Sequence, residues 1–206
     1  MRGILHIIML LFTKLAFFSF LVLTPIVAGA SFTEGKLESP NGTYFITWKC
    51  ENEFRASCKI LMHNKVGDKI VIKKKGKLPI SMQWLTDSLL RFVFSCGSPC
   101  NSWVFYTFVD KKSPPYGNPQ AIEVDKYLVA EPSWFESKNG DTFAVLEIYE
   151  IFSRKLVKRI FLDNFSEVAA VSLGIEEAKF VDGDKVYIRY LKGKNQTSAE
   201  MTVQFQ

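Results

Sequence analysis

Histidine is scarce. The 206 residues hold two, and only His63 lies beyond the first thirty. A nucleophilic triad needs an imidazole or an equivalent base to take the proton. That chemistry therefore has one candidate, at the end of an apolar run beside Asn64, where an exposed turn residue is the simpler explanation. Ser95 and Ser98 flank cysteines in a tight loop and lack the strand-to-helix setting of a nucleophile elbow. Cysteine is limited to Cys50, Cys58, Cys96 and Cys100, with seven and three residues inside the two close pairs. Those spacings match no common zinc pattern. Asp182-Gly183-Asp184 is too short for a calcium loop, which needs several more spaced oxygens. Past residue 30, no apolar run nears the roughly 20 residues of a membrane helix. The expectation is a chain with no metal, no cofactor and no transmembrane segment once its N-terminus is removed.

That N-terminus reads as an export signal. Arg2 precedes the apolar stretches Ile4–Phe12 and Leu15–Val27, and Ala28-Gly29-Ala30 is a small-x-small cleavage site, so residues 1–30 are removed and the mature chain starts at Ser31. Lys14 interrupts the apolar stretch. A charge there costs about 2.5–3.5 kcal/mol at the centre of a spanning helix, which argues against a retained anchor. It also raises Met9 as the true start, with Lys14 then in the basic leader region. No cysteine follows the cleavage site to take a lipid. The 176 mature residues suit one domain, 31–206, burying roughly 70% of its unfolded surface. The leader holds two of the 26 Lys and Arg and no acid. This leaves 24 against 21, a net of +3, too mild to imply nucleic acid. Lys73-Lys74-Lys75 with Lys77 is a local basic run, either a solvated strand end or a contact for an anion or membrane.

An even cysteine count in an exported chain implies disulfides. Four cysteines allow three pairings, and the spacing favours Cys50–Cys58 and Cys96–Cys100. The favoured pairing comes from aligning the chain by its turns. Ser39-Pro40-Asn41-Gly42 leads into Thr43–Lys49 and Cys50, and the chain resumes at Cys58. Thr86-Asp87-Ser88 leads into Leu89–Ser95 and Cys96, and the chain resumes at Cys100 with Asn101–Asp110. In both units one cysteine closes a strand and the next opens its partner, so each pair sits across a hairpin mouth within disulfide reach. Val124-Asp125-Lys126 and Val181-Asp182-Gly183-Asp184 open two further units. Measured from Asn41, Asp87, Asp125 and Asp182, the spacings are 46, 38 and 57 residues, near the period of propeller blades. The runs are rich in aromatic and β-branched residues, as strands are. One interruption looks helical: Asp163-Asn164 as cap, a helix near residues 165–173, and Gly174 as its stop. Ser113–Pro119 reads as an irregular loop, because its three prolines deny a ladder its N–H donors.

The pattern Ser39-Pro40-Asn41-Gly42-x-Tyr44-x-Ile46, and Trp84-x-x-Asp87 before an apolar strand, resemble the blade openings of TolB-like and WD40-like β-propellers. The resemblance holds at repeat level over much of the mature chain, with a long third unit and a truncated last one. It implies an all-β, small or incomplete propeller-like array of antiparallel hairpin units, with one short helix; a β-sandwich built from the same hairpins is the competing architecture. It implies a binding scaffold and says little of chemistry.

Two function classes follow. The first is a secreted or periplasmic, non-catalytic binding module for a protein or cell-envelope ligand, acting as an inhibitor or accessory subunit. Its disulfide-bearing hairpin loops share one face, and Asn101, Trp103, Tyr116 and Trp134 are the candidate binding residues. Trp103 and Trp134 are equally explicable as core. Cys96-Gly97-Ser98-Pro99-Cys100 has one residue too many for a common redox motif and reads as a staple. The second class is an envelope hydrolase using acidic residues on a propeller face. Glu147 and Glu150 fall on opposite faces of one strand, and Asp87, Asp125 and Asp182 are turn formers in their own right. Asn41, Asn164 and Asn195 begin glycosylation sequons that matter only in a eukaryotic host.

Overall fold

The computed structural model describes residues 33–51, 56–98, 100–166, 168 and 170–205. The expected leader, residues 1–30, and the expected cleavage site lie outside the described residues. Among the described residues, sixteen strands form four antiparallel meanders in chain order. Sheet 1 comprises β1 (Glu34–Glu38), β2 (Tyr44–Cys50), β3 (Cys58–Asn64) and β4 (Lys69–Lys73). Sheet 2 comprises β5 (Ser81–Trp84), β6 (Leu90–Gly97), β7 (Cys100–Thr107), β8 (Lys111–Lys112) and β9 (Tyr116–Gly117), the last two pairing side by side along β7. Sheet 3 comprises β10 (Ala121–Glu123), β11 (Leu128–Glu136), β12 (Thr142–Glu150) and β13 (Leu156–Phe161). Sheet 4 comprises β14 (Ile175–Val181), β15 (Lys185–Lys192) and β16 (Thr197–Gln204).

Period-two burial explains why these segments are strands. In β15, Val186, Ile188 and Tyr190 are buried and alternate with Tyr187 and Arg189 on the other face. Three apolar clusters then fill the spaces between successive sheets. The first joins Ile46, Ile60 and Met62 of sheet 1 to Leu90, Phe92 and Val104 of sheet 2. The second joins Phe105 and Tyr116 of sheet 2 to Val129 of sheet 3. The third joins Leu146, Ile148 and Ile160 of sheet 3 to Val186, Ile188 and Tyr190 of sheet 4. None of these clusters joins sheet 4 back to sheet 1. A sandwich would place two sheets on one core. Four small sheets on three successive cores make a propeller-like array, and the sandwich alternative falls.

The recurring turn is structurally equivalent in all four units, but it does not open them. Residues 39–43, 85–89, 124–127 and 182–184 each join the first strand of a sheet to the second. The strand before the turn is the part the turn alignment misses; β1, β5 and β10 are five, four and three residues long, too short to show a pattern. At the last turn Asp182 and Gly183 take φ values of 53° and 69°, the two successive positive values that a tight hairpin turn requires.

The helix also differs. Among the described residues it is α1, Val171–Gly174. Upstream, Phe165 bridges to Lys192, the Ser166 N–H donates to the Leu191 carbonyl, and the Gly193 N–H donates to that of Asn164. The chain there runs beside β15, with Asn164 in a turn at φ 49°, so Asp163 and Asn164 do not open a helix. The proline loop behaves as its composition requires: the outer strand of sheet 2 breaks between β8 and β9. The buried Ser113 bridges the gap, its Oγ accepting the Phe105 N–H and its own N–H donating to the Phe105 carbonyl.

Candidate functional site

Both disulfides form across the loops between the second and third strands of their sheets. Cys50 pairs with its cross-strand neighbour Cys58, and Cys96 bonds Cys100. Their surroundings differ. Cys50 and Cys58 are buried within the first core cluster, whereas Ser95 to Ser98 are exposed to solvent. A thiolate must reach a sulfur to exchange with it. Brief treatment with a mild reductant followed by alkylation is therefore expected to label Cys96 and Cys100 first, with Cys50–Cys58 opening only as the domain unfolds; peptide mass mapping reads the order. Simultaneous labelling of all four would refute it.

The Cys96–Cys100 end of β7 meets the connection from sheet 2 to sheet 3. The Asn101 N–H donates to Asn118 Oδ1 and the Asn118 N–H to the Asn101 carbonyl, both at 2.6 Å. Asn118, held at φ 47°, turns its Nδ2 to Ser172 Oγ on α1 at 3.3 Å. Asn101, Trp103, Asn118, Gln120, Ser172 and Leu173 thereby line a shallow groove of about 170 Å³. Trp103 is half-buried at its wall. Its ring meets Phe105 edge-on at 6.3 Å and carries the Arg91 guanidinium 4.3 Å from its centroid. Leu173 is 48% exposed on the opposite wall. Next to it, Gly174 packs against Phe165, and Phe165 meets Trp134 edge-on at 6.0 Å. Trp134 is 46% exposed. Trp103 and Leu173 thus share one groove with the two hydrogen-bonded asparagines, and the Phe165–Trp134 pair lies beyond Gly174, the neighbour of Leu173 in the chain. Leu173 and Phe165 were invisible as site residues in the sequence, because a helix-like reading of their segment hides both.

Tyr116 does not join them. It is fully buried between sheets 2 and 3, and its hydroxyl donates to the carbonyls of Glu150 and Ile151 at 3.0 and 2.8 Å. Burial pushes the phenol up to about 12. Its place beside prolines suggests a loop, but the β9 ladder to Trp103 draws it inward.

Acidic residues are brought together at one place. Glu131 and Glu147 face each other across β11 and β12, and Arg159 follows on β13. Glu147 accepts from Arg159 Nε at 2.7 Å, Tyr149 Oη at 2.6 Å and Ser133 Oγ at 3.1 Å. Burial pushes its carboxyl up, but the hydrogen bonds from Tyr149, Arg159 and Ser133 outweigh that and hold it below the usual range. Glu131 accepts from the Gly117 N–H at 2.5 Å and from Arg154 at 2.9 Å. Burial dominates there and raises its pKa. Arg154 also donates to the Pro115 carbonyl and lies 5.0 Å from the Tyr116 ring centroid. Each carboxylate is thus held by its own arginine; Glu131 and Arg154 latch sheet 3 to sheet 2 through Gly117 and Pro115, while the Glu147 partners all lie within sheet 3.

Elsewhere, His63 stacks on Phe45 at 4.6 Å and shares a 3.0 Å hydrogen bond with Thr47 Oγ1. Burial, then the charges of Lys69 and Lys36, lower its pKa. It lies on the outer face of sheet 1, not in a cleft. A larger depression, about 880 Å³, opens at the far end of sheet 3 around Tyr127, Phe152 and Leu156.

No protein-family model matches the chain. No curated protein matches it either. Among solved structures, the chain is similar to the β-propeller domain of the trilobed protease from Pyrococcus furiosus, at 13% identity and a TM-score of 0.41 over 84% of this chain. It is also similar to a luciferin-regenerating enzyme, at 9% identity and a TM-score of 0.31 over 79% of this chain. The chain spans about 55% of the length of each.

Proposed function

We propose that this chain is an exported, non-catalytic binding module, secreted or periplasmic, that grips a protein or cell-envelope ligand through the face bearing the Cys96–Cys100 staple. The observation that carries the reading is the groove shared by Trp103, Leu173, Asn101 and Asn118, with the partly exposed Phe165–Trp134 pair beyond Gly174. Partly exposed aromatic anchors beside polar groups of fixed direction are what interfaces use. A disulfide that pre-orders the adjoining loop lowers the entropy lost on binding. The test is capture from envelope extract with the full chain as bait, run beside Trp134→Ala and Leu173→Ser. A species retained by the wild type and released by both variants supports the reading. Equal retention by all three sinks it. N-terminal sequencing of exported protein is expected to begin at Ser31.

One observation favours the hydrolase reading: a raised and a lowered carboxylate stand side by side at Glu131 and Glu147, an arrangement that acid–base chemistry uses. Against it, both are occupied by arginines, and neither lines any of the grooves described above. Glycosidase activity abolished by Glu131→Gln would revive it.

A further inference from the structure

The array has two end faces, and they treat charge differently. On the outer face of sheet 4, Arg189 pairs with Glu176 and Glu177, and Lys179 with Glu177. That face neutralises itself. The outer face of sheet 1 does not. It presents Lys36 from β1, Phe45, Thr47 and Lys49 from β2, Lys59, Leu61 and His63 from β3, and Lys69 and Val71 from β4. Lys49 stands directly opposite Lys59, a like-charge pair that costs stability in a sheet. Lys69 stands opposite His63. The acids on this face are Glu34, across from Lys49, and Glu38, bound to Lys36. Among the described residues Lys49, Lys59 and Lys69 form no ion pair, and all three are exposed. Beyond the end of β4, Lys74 and Lys77 are exposed, while Lys75 pairs with Glu51 and Lys73 turns inward over the Phe94 ring to the Lys77 carbonyl. Residues 33–80 carry ten Lys and Arg against five acids, and residues 81–206 carry fourteen against sixteen, so the excess of positive charge lies in the first unit of the chain.

We propose that the outer face of sheet 1 docks on the surface of an anionic lipid bilayer. The partner is anionic, because Glu34 across from Lys49 forms no ion pair with it and leaves the Lys49–Lys59 opposition for an external anion to relieve. It must also be planar, because the lysines are spread over four strands and a discrete anion reaches only a few of them. A shallow groove of about 420 Å³, lined by Lys36, Lys49, Lys59, Thr47, Leu61 and one acid, Glu34, is the place for a headgroup phosphate. Val71, 48% exposed, and Leu61 lie between the lysines as apolar surface along which their stems can rest while the ammonium groups reach the phosphates. This face is separate from the ligand face of sheets 2 and 3 and does not depend on it; docking here would hold the module at a membrane with its ligand face free.

The test is co-sedimentation of the full chain with vesicles of phosphatidylcholine alone and of phosphatidylcholine mixed with phosphatidylglycerol. The ratio of the two affinities is the readout, since an N-terminal apolar stretch, where retained, binds both. At about 0.1 M salt, where the Debye length is about 10 Å, the anionic vesicles are expected to be strongly preferred, with the preference gone near 1 M. Each lysine near an anionic surface is worth about a fivefold gain. Lys49→Gln, Lys59→Gln and Lys69→Gln together should therefore lower the ratio by roughly a hundredfold. The same three positions as arginine should keep it. The glutamine variant removes repulsion from exposed positions, so its thermal midpoint should not fall. Four results would overturn the proposal: no preference for anionic vesicles at low salt, an undiminished ratio in the glutamine variant, complete displacement by millimolar inorganic phosphate, or tighter binding to soluble polyglutamate than to the vesicles. If the glutamine variant self-associates while keeping its vesicle preference, the lysines act to keep copies from stacking, and the proposal again fails.

Discussion

Phe105→Ala is expected to cost about 3–5 kcal/mol, the usual range for emptying a fully buried aromatic site. Phe105 is wholly shielded at the junction of sheets 2 and 3, against Tyr116 at 6.1 Å, with Leu89, Val129 and Ile151 in the same cluster. Among the described residues that cluster has five buried members, against eleven and fourteen in the other two, so little apolar contact remains to hold the junction. Two residues away, Trp103→Ala is expected to cost roughly half as much, since it removes a side chain only half-buried at the rim. Denaturant titration of both variants, at equal m-value, is the check. A Trp103→Ala cost matching that of Phe105→Ala would make Trp103 a core residue and remove it from the ligand face. A small stability cost with lost capture would make it an anchor.

What the sequence made legible was what local chemistry sets. The four recurring turns stand out because Asp, Asn and Gly punctuate apolar runs, and the fold uses all four in the same place. The cysteine pairs stand out because each brackets one hairpin mouth. Two features were hidden by proline. Pro132 lies inside β11, so the apolar run seems to stop at Ala130, yet the strand continues to Glu136. The proline is tolerated because β10 pairs only with residues 128–130, leaving that side of β11 open beyond them. Tyr116 was hidden in the same way. A third feature was hidden by composition: Asp163 to Gly174 carries helix signals at both ends, but pairing to β15 outbids a helix too short to stand alone. The Glu131–Glu147 pair could not be read at all without the β11–β12 register, which depends on that unseen strand extension.

The register also sets the largest expected electrostatic effect. Glu147→Gln keeps the shape of the side chain and removes its charge, leaving Arg159 and the Tyr149 hydroxyl facing a neutral amide. Removing one partner of a buried ion pair costs roughly 3–5 kcal/mol, and the partial exposure of Arg159 lets water recover part of that, so about 2–3 kcal/mol is expected at pH 7. The acid limb should change as well. Glu147 is held below the usual carboxylate range because its hydrogen bonds outweigh its burial, so its stabilisation is present above the unfolded value of about 4.3 and is lost as pH falls through the lower folded value. Glu131 runs the other way: its pKa is raised, so its contribution is full below about 4.3 and fades as pH rises through the folded value. In the wild type the two cross-strand neighbours oppose each other in acid, with the Glu147 loss setting in lower. In the variant only the Glu131 contribution remains from this pair, so the penalty of the substitution should shrink as the pH is lowered from 7 to 3. Urea midpoints measured across that range test it. A penalty that stays constant with pH would show that Glu147 acts by shape and hydrogen bonding alone, and that its hold on Arg159, Tyr149 and Ser133 within sheet 3 does not depend on its charge.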